Sequence, residues 1–303
     1  MTPQTLSLRV SDHGRKVERV LAKRLDRAPD HVSKLLRQER VWLEQQGRPP
    51  RALRAGDLLP GNGRLVVRAP AGERPPPQPN NKLRLKVLHE DEALVVLDKP
   101  AGLTVHPGPG HGTDTLLNGL VARYPELVEL GTERGYGLVQ RLDMGTSGLM
   151  VVARTPESYD ALRESFSERR VRKRYRALAR GGLPDEGEVD QPVGGKEARS
   201  RFRVAARAGE VLQVELWPET GRTHQLRLHL ASQGAPILGD ERHGTGRDDL
   251  TAQLYLTRLA LHAEELCLPH PLTGEEQCWE SEWPRALRKA WKRAEKLAAD
   301  EQG

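Results

Sequence analysis

Apolar residues recur at helical spacing in two short segments near the N-terminus. In residues 17–25 (VERVLAKRL) the valines and leucines share one helical face, and 31–40 (HVSKLLRQER) repeats the pattern with basic residues between. Asp30, just before the second segment, is a candidate N-cap. A strand-like piece and turn residues follow (RVWLEQQGRPPRALRAGDLL). The pattern predicts two short basic helices followed by a small, turn-rich β element.

Strand and helix patterns are mixed in the rest of the chain. Continuous apolar runs at 94–97 (LVVL) and 149–153 (LMVVA) predict buried strands, whereas 212–216 (LQVEL) alternates as a half-buried strand should. Helical patterns fall at 115–123, 158–168, 224–232 and, as an exposed basic helix with Leu287 and Trp291 as anchors, 285–299. Because strands and helices do not alternate strictly, we expect an α+β fold rather than a doubly wound parallel sheet.

A proline-rich segment at 71–81 (AGERPPPQPNN) divides the chain. Its prolines cannot continue a helix or a central strand, so it predicts a semi-rigid linker. We therefore expect a small module over 1–70, a main body over 82–284 and a basic helical tail over 285–303.

Composition narrows the class of protein. The chain has 303 residues, 37% hydrophobic and 30% charged, which is typical of a globular protein of about two domains. No apolar run approaches the roughly 18 residues of a membrane span, and the N-terminus lacks the apolar core of a secretory signal. Two cysteines cannot form a disulfide framework. These observations argue against a secreted or membrane protein and predict the cytoplasm.

Positive charge is concentrated at the N-terminus. Residues 1–81 contain 16 Lys and Arg against 8 Asp and Glu, a net charge of +8, whereas the remainder carries a net charge of −2. Such asymmetry is typical of a nucleic-acid-binding module joined to a near-neutral body. A solvated basic face without a partner would give the same pattern, and charge alone leaves both open.

One carboxylate stands in a pattern suited to catalysis. In RLDMGTSG, Asp143 lies between Arg141 and a turn of small residues that precedes an apolar strand. A neighbouring cation can keep a buried aspartate ionised and nucleophilic. Alternatively, Asp143 only caps the turn through its own side chain.

A second candidate segment (PETGRTHQLRLHL) gathers basic residues at a predicted helix start. Thr223 can cap a helix that carries His224, Arg227 and His229, with Arg222 just before it. Arginines at a helix N-terminus favour an anion or a carboxylate there. The two histidines are five residues apart and no HExxH pattern is present, so a metal site is disfavoured.

Two further segments carry candidate binding residues. In ERRVRKRYRAL, Lys173 and other basic side chains surround Tyr175. Such an arrangement would let an RNA base stack on the tyrosine ring while the basic side chains hold the neighbouring phosphates. A basic edge strand with Tyr175 packed in the core is the alternative. Lys99 lies in LDKPAGLTVHPG, which lacks the GxxxxGK[ST] pattern, so nucleotide hydrolysis has no support.

Five motifs in order over residues 85–280 resemble the RluA-type pseudouridine synthases: LDKPAGLTVHPG, RLDMGTSG, RKRYRAL, ETGRTHQLRLHLASQGAPILGD and LHAEELCLPHPLTGE. Residues 5–68 resemble, in degenerate form, the alpha-L RNA-binding module of ribosomal proteins. The resemblance implies an α+β fold with a mixed, mainly antiparallel central sheet and an active cleft across it. It also implies conversion of uridine to pseudouridine in RNA, with large-subunit ribosomal RNA as the expected substrate.

The resemblance implies a role for each matching residue. Asp143 would be the catalytic aspartate, Tyr175 would lie against the flipped uracil and Arg227 would pair with Asp143. Arg141 would fill the gap left by the flipped nucleotide or contact its phosphate. The remaining candidates for RNA binding or support of the site are Arg222, Lys99 and Lys173.

The reaction implied is an isomerisation, so no cofactor, nucleotide, metal or membrane partner is expected, and the protein is expected to act as a monomer. Transfer-RNA modification by the same chemistry, and a catalytically silent RNA-binding assembly factor, are the alternatives. Gln140 departs from the family, which usually has histidine before the RLD tripeptide. Because glutamine cannot carry a charge, we expect this departure to affect how the RNA is positioned.

Overall fold

The computed structural model describes residues 4–25, 29–37, 39–67, 76–108 and 111–300. They form two compact units, Met1–Pro76 and Pro77–Gly303. Of the predicted linker at 71–81, residues 71–75 lie outside the described residues, and 77–81 belong to the larger unit.

The smaller unit packs two helices with a four-stranded antiparallel sheet in the order β1-β4-β2-β3. Its elements are β1 (Gln4–Ser7), α1 (Val17–Leu25), α2 (Pro29–Arg37), β2 (Val41–Gln45), β3 (Arg48–Ala52) and β4 (Arg64–Val67). This confirms the two helices and the β element. The assignment to the alpha-L type stays a prediction.

Helical periodicity explains how the smaller unit forms its core. The apolar face of α1, with Val17 and Leu21 fully buried, meets the equivalent face of α2, where Val32 and Leu36 are buried in the same cluster. The helix α2 begins at Pro29, so the prediction that Asp30 is its N-cap is wrong. Proline is tolerated at the first helical position because its missing N–H would be unpaired there.

The larger unit contains nine strands and five α-helices among its described residues. The strands are β5 (Lys86–Glu90), β6 (Leu94–Lys99), β7 (Ser147–Ala153), β8 (Arg172–Arg180), β9 (Glu186–Asp190), β10 (Arg199–Ala208), β11 (Val211–Pro218), β12 (Leu261–Pro269) and β13 (Glu276–Glu280). The helices are α3 (Leu116–Arg123), α4 (Pro156–Ser167), α5 (Gln225–Ser232), α6 (Asp249–Gln253) and α7 (Arg285–Asp300).

These strands form one sheet in the order β5-β6-β7-β12-β8-β11-β10-β9, with β13 paired to β12. Only β7 and β12 run parallel among the described strand pairs. The predicted α+β fold with a mixed, mainly antiparallel sheet is therefore confirmed.

Both faces of β6 and β7 are covered, which explains their continuous apolar sequences. Val95 and Val152 pack in a cluster with α3, whereas Val96 and Val151 pack on the opposite face in a cluster with Leu162 of α4. Successive side chains of a strand point to opposite faces, so a strand covered twice must be apolar at every position.

The strand β11 is also covered more fully than its alternating sequence predicts. Leu212 and Val214 are buried in one cluster, to which the C-terminal helix α7 contributes Leu287 and Trp291, and Glu215 on the opposite face of the strand is also buried. Both predicted anchors of this helix are thus buried. The helix belongs to the larger unit and is not merely an exposed tail.

Cys267 on β12 and Cys278 on β13 face each other across the strand pair and form a disulfide. The sequence excluded only a disulfide framework, and this single bond was not foreseen because it depends on the register of two strands. No helix within the described ranges combines the length and apolar character needed to cross a membrane.

Candidate active site

A cleft of about 610 Å³ opens beside the turn that precedes β7 and the start of α5. Its lining contains six basic and two acidic side chains, so it favours an anionic ligand. The charged residues that line it are Arg141, Arg163, Arg169, Lys173, Arg222, Arg227, Asp143 and Glu219. With the exception of Lys99, every residue for which the sequence predicts a catalytic or RNA-binding role contributes to this lining.

Asp143 occupies the first position of a tight turn. The Thr146 N–H donates to the Asp143 carbonyl at 3.1 Å, and β7 starts at the next residue. Gly148 fixes this strand start because it pairs with Ala263 on β12, and a Cβ at Gly148 would collide with the Ala263 carbonyl. The small residues of RLDMGTSG therefore place the carboxylate at the end of a rigid central strand.

Arg227 on α5 connects two carboxylates. Its Nη1 donates to Asp143 Oδ2 at 3.2 Å, and its Nε and Nη2 donate to the two oxygens of Asp240 at 2.7 Å each. Burial works to lower the pKa of Arg227, but the hydrogen bonds to Asp240 and Asp143 outweigh it and raise the pKa. Asp240 is 1% exposed, so this bidentate pair fixes the guanidinium that faces Asp143.

The start of α5 differs from the prediction. His224, and not Thr223, occupies the N-cap position, and it adopts a left-handed backbone conformation at φ 58° without a side-chain cap. This conformation is uncommon for a residue with a side chain. It brings His224 Nε2 to 3.7 Å from Asp143 Oδ1, while Nδ1 lies 2.7 Å from His243 Nε2.

The charge state of this histidine pair follows from its surroundings. Burial lowers the pKa of His224. The nearby carboxylate of Asp143 acts to raise this pKa, but the positive charges of Arg227, His243 and Arg242 act to lower it further. Burial also lowers the pKa of His243.

His229, the other histidine considered for a metal, lies apart from this pair. It contacts Ser200 Oγ and the Gln191 carbonyl, at 3.0 Å each.

Tyr175 on β8 lines the cleft and packs against two of the apolar clusters. Burial, and after it the negative charge of Asp143, raise the pKa of the Tyr175 phenol above its usual range. The sequence left open whether Tyr175 packs in the core or faces a ligand, and its side chain does pack on the core while it also lines the cleft. Its ring is supported by the core and its phenol stays protonated beside the carboxylate.

Three other predicted residues form the wall and rim of the cleft. Arg141 and Arg222 are exposed, and Arg222 Nε donates to the Glu197 carbonyl at 2.9 Å. Lys173 lies above the Phe166 ring at 5.9 Å, and burial lowers the pKa of its ammonium group. Their chemistry suits contacts with phosphate groups.

Lys99 does not line this cleft. Its side chain is fully buried, and its ammonium group donates to the carbonyls of Pro100 at 3.0 Å, Leu103 at 2.9 Å and Met144 at 3.3 Å. Burial, followed by repulsion from Arg258, lowers the pKa of Lys99 to about 7 despite the opposing effect of Asp143. Of the two roles expected for Lys99, support of the site fits this geometry and phosphate binding does not.

Gln140 also lines the cleft, and its buried Nε2 finds no hydrogen-bond acceptor among the residues that the structure describes. A buried amide donor without an acceptor is unfavourable, so a ligand acceptor here would be stabilised. The departure from the family pattern thus falls inside the cleft itself.

Sequence reasoning missed Asp240, His243 and Arg163. Asp240 ends the APILGD segment that carries the family resemblance, and that was the one signal for it. The pairing of His243 with His224, and the arrival of Arg163 from α4 at the cleft, depend on tertiary packing. No spacing rule along the chain predicts either contact.

Comparisons with known proteins bear on this cleft. A family model for RNA pseudouridylate synthase matches residues 93–232. Ribosomal large subunit pseudouridine synthase D of Nitrosomonas europaea is 43% identical over 219 residues, which are 66% of this chain and 62% of that protein, so the chain spans less than two thirds of this relative's length. The protein of the same name from Pseudomonas aeruginosa is 36% identical over 255 residues, 77% of this chain and 78% of that one.

A solved structure shares the fold of the larger part of the chain. Human RNA pseudouridylate synthase domain containing 4 gives a TM-score of 0.54 at 27% identity, over 69% of this chain and 92% of that one. The matched family region includes Asp143, Tyr175 and Arg227, whereas Asp240 lies just beyond it.

Proposed function

This chain belongs to the RNA pseudouridine synthase family, and we propose on that basis that it converts uridine to pseudouridine within RNA. The observation that carries the proposal is the Asp240–Arg227–Asp143 arrangement, in which the buried Asp240 holds Arg227 against Asp143 in the lining of a basic cleft. This arrangement presents one carboxylate to a ligand whose phosphates the rim can hold.

The reaction proposed needs one nucleophile and no net change in composition. The bond from N1 to C1′ breaks, the uracil turns, and C5 bonds to C1′ while the proton on C5 is lost and N1 gains one. Asp143 starts this exchange by attacking the nucleotide. Arg227 offsets the charge of Asp143 and fixes the direction in which its carboxylate points.

Tyr175 contacts the uracil base in this proposal, and it does so as a neutral phenol and not as a phenolate. Because its pKa is raised, it remains a neutral phenol whose ring can lie against uracil and whose O–H can donate a hydrogen bond. A base extruded from an RNA helix needs such a surface, since it has lost its stacking neighbours. Arg141, exposed at the mouth of the cleft, is placed to contact the nucleotide or its phosphate.

Large-subunit ribosomal RNA is the substrate we propose, and the names of the two bacterial relatives support it. The N-terminal excess of positive charge suits a structured polyanion. Action as a monomer remains part of this proposal. A ribosomal RNA substrate places that action in the cytoplasm.

A direct test maps pseudouridine in cellular RNA from strains with and without this protein. We expect one or more ribosomal sites to disappear on deletion and to return with the wild-type gene but not with Asp143→Asn. Loss of sites only in transfer RNA would overturn the ribosomal assignment. Unchanged maps in both RNA classes, together with an inactive purified enzyme, would favour the silent assembly factor.

A further inference from the structure

A second cavity, of about 440 Å³, lies beside the start of α7, and we refer to it as the α7 cavity. Its charged and aromatic lining consists of Arg84, Lys86, Asp98, Lys99, Arg258, Glu282, Trp283, Arg285 and Arg288. It shares a wall with the turn that carries Asp143, because Lys99 donates to the Met144 carbonyl and Arg258 donates to Ser147 Oγ at 2.7 Å.

The positive charge of the α7 cavity is only partly compensated. Two ion pairs account for both carboxylates: Lys86 with Asp98 at 2.8 Å, and Arg288 with Glu282 at 3.2 Å. In the described part of the chain, Arg84, Arg258 and Arg285 have no carboxylate within 4 Å. Three guanidinium groups therefore contribute uncompensated charge to one cavity.

Arg258 is the innermost of these cations. Its Nε donates to the Leu259 carbonyl at 3.0 Å and its Nη2 to the Leu261 carbonyl at 3.1 Å as well as to Ser147. Burial lowers its pKa, with Asp98 opposing. A buried cation that is bound only to neutral oxygens is stabilised by any anion that reaches it.

The start of α7 adds further positive potential. The helix has 16 residues, and its first turn contains Arg285 and Arg288 but no acidic residue. The N-terminal end of a helix already carries a partial positive charge, so cations are unfavourable there and an anion is favourable.

Trp283 provides an independent indication of a ligand. The residue is 7% exposed and lines the cavity, yet its indole Nε1–H has no hydrogen-bond acceptor among the described residues. Buried tryptophan N–H groups usually find an acceptor. A ligand that brings an anionic oxygen into the cavity would supply one.

We propose that the α7 cavity binds a phosphate group of the RNA backbone, as an anchoring site separate from the catalytic cleft. Phosphate oxygens suit both the guanidinium groups and the indole N–H, and one phosphodiester fits the net positive lining. Because the cavity adjoins the turn that carries Asp143, a strand held here would run close to the reacting nucleotide. The identity of RNA as the source of the phosphate rests on the proposed function.

The first experiment compares two doubly substituted proteins in RNA titrations at several salt concentrations. Arg84→Gln with Arg285→Gln removes two cations from the α7 cavity. Lys292→Gln with Lys296→Gln removes two exposed cations farther along the same helix, outside the cavity. We expect the slope of log affinity against log salt to flatten by about 0.7–0.9 in the first protein, which would bind one phosphate fewer, and to be unchanged in the second.

Two further measurements identify the donor and the source of the phosphate. Trp283→Phe keeps an aromatic side chain and the net charge but removes the N–H, so RNA affinity should fall by roughly 2- to 10-fold with little change in salt slope. Inorganic phosphate should raise the melting temperature of wild type more than sodium chloride of equal ionic strength does. That difference should shrink in Arg84→Gln with Arg285→Gln, in which the catalytic cleft keeps its own cations, and persist in full in the lysine control.

The outcomes separate the hypotheses. A flattened RNA slope together with a reduced phosphate effect supports the proposal. A reduced phosphate effect with the RNA slope of the lysine control overturns RNA as the ligand and identifies a site for free phosphate. If both measurements match the control, the α7 cavity is not a phosphate site. Absence of pseudouridine formation by wild type would overturn the proposed function instead, since neither binding measurement depends on turnover.

Discussion

The guanidinium of Arg227 lies 3.2 Å from the carboxylate of Asp143 and is held there by a second, fully buried acid. The bidentate pair with Asp240 is shorter, 2.7 Å on both sides, and is geometrically specific. Asp143 thus meets a cation whose position is set by the protein before any RNA arrives. Preorganised charge of this kind costs no rearrangement during the reaction.

We expect Arg227→Met to reduce kcat far more than Arg222→Met does. Arg222 is exposed and hydrogen-bonded to the Glu197 carbonyl, whereas Arg227 contacts the carboxylate itself. Loss of the buried cation also leaves Asp240 unpaired, so stability should fall by about 3–5 kcal/mol. Single-turnover rates from pH 6 to 8 and urea unfolding would measure the two effects.

Asp240→Asn separates these two consequences. Asparagine keeps one acceptor oxygen for Arg227 and replaces the other with an NH2 donor, so half of the bidentate pair is lost. The guanidinium remains next to Asp143, so kcat should fall less than in Arg227→Met. Wild-type single-turnover rates for Arg227→Met across this pH range would show that the pairing with Asp143 has no part in catalysis.

Asp143→Asn should abolish isomerisation and leave RNA binding nearly intact. Asparagine is almost isosteric but is not a nucleophile at neutral pH, so turnover should drop on the order of 10⁴-fold or more. Affinity depends on phosphate contacts spread over many lysines and arginines. A tritium-release assay beside a binding titration checks both parts, and turnover within about tenfold of wild type would exclude Asp143 as the nucleophile.

The substitution Lys99→Met tests whether Lys99 supports the turn next to Asp143 or binds an RNA phosphate. The substitution removes the donor shared by the carbonyls of Pro100, Leu103 and Met144, so the turn next to Asp143 should loosen and kcat should fall. The salt dependence of RNA binding should not change, because the three carbonyls use all three N–H donors of the ammonium group and leave none for a phosphate. Arg222→Gln is the comparison, and its slope should flatten by about 0.7–0.9. Equal flattening in Lys99→Met would return Lys99 to the phosphate-binding residues.

His262 should make the larger unit sensitive to acid. It is fully buried beside Ser147, with Nδ1 2.9 Å from Oγ, and burial lowers its pKa from 6.5 to about 4. The unfolded chain takes up this proton below pH 6.5, whereas the folded protein resists until about pH 4. Stability is therefore fully present above pH 6.5 and is lost as the pH falls to about 4, by on the order of 3 kcal/mol.

Urea unfolding at pH 7 and pH 4.5 would measure this loss. His262→Gln should shrink the difference between the two pH values, whereas substitution of the exposed His13 by Gln should not. An equally large acid loss in His262→Gln would assign the effect to other groups, such as His229, whose pKa burial also lowers.

Local sequence patterns predicted the central strands correctly but not the start of α5. The apolar runs at 94–97 and 149–153 predicted β6 and β7 correctly because both faces of these strands are covered. The start of α5 was misplaced because His224 adopts a left-handed conformation that propensity disfavours. Such an exception arises from contacts made across the fold, here with Asp143 and His243.

In the candidate site, too, some contacts could be predicted from the sequence and others could not. Asp143 and Arg227 were brought together on the family resemblance alone, since 84 residues separate them along the chain. The burial of Lys99 could not be foreseen, because lysine is almost never fully buried unless its charge is paired or its donors are satisfied. Three backbone carbonyls satisfy it here, and only the folded chain shows them converging.

Removal of the N-terminal unit should separate RNA affinity from chemistry. The smaller unit has its own apolar core, and all of the excess positive charge of the chain lies before residue 77. The cut belongs after Pro76, because the Asn118 side chain donates to the Gln78 carbonyl and the Asn80 side chain to the Thr113 carbonyl. A deletion through residue 81 would remove these contacts from the larger unit.

For the protein lacking residues 1–76 we expect an unchanged melting temperature of the remaining unit and a much higher KM for structured ribosomal RNA. Every phosphate that the truncated protein no longer binds should flatten the log–log salt dependence of binding by about 0.7–0.9, so several such phosphates would lower the slope by a few units. If the smaller unit instead serves only to stabilise the larger one, the truncated protein would melt early with its salt slope intact. Measuring both quantities on one sample decides between them, and an unchanged slope would mean that the N-terminal charge does not contact RNA.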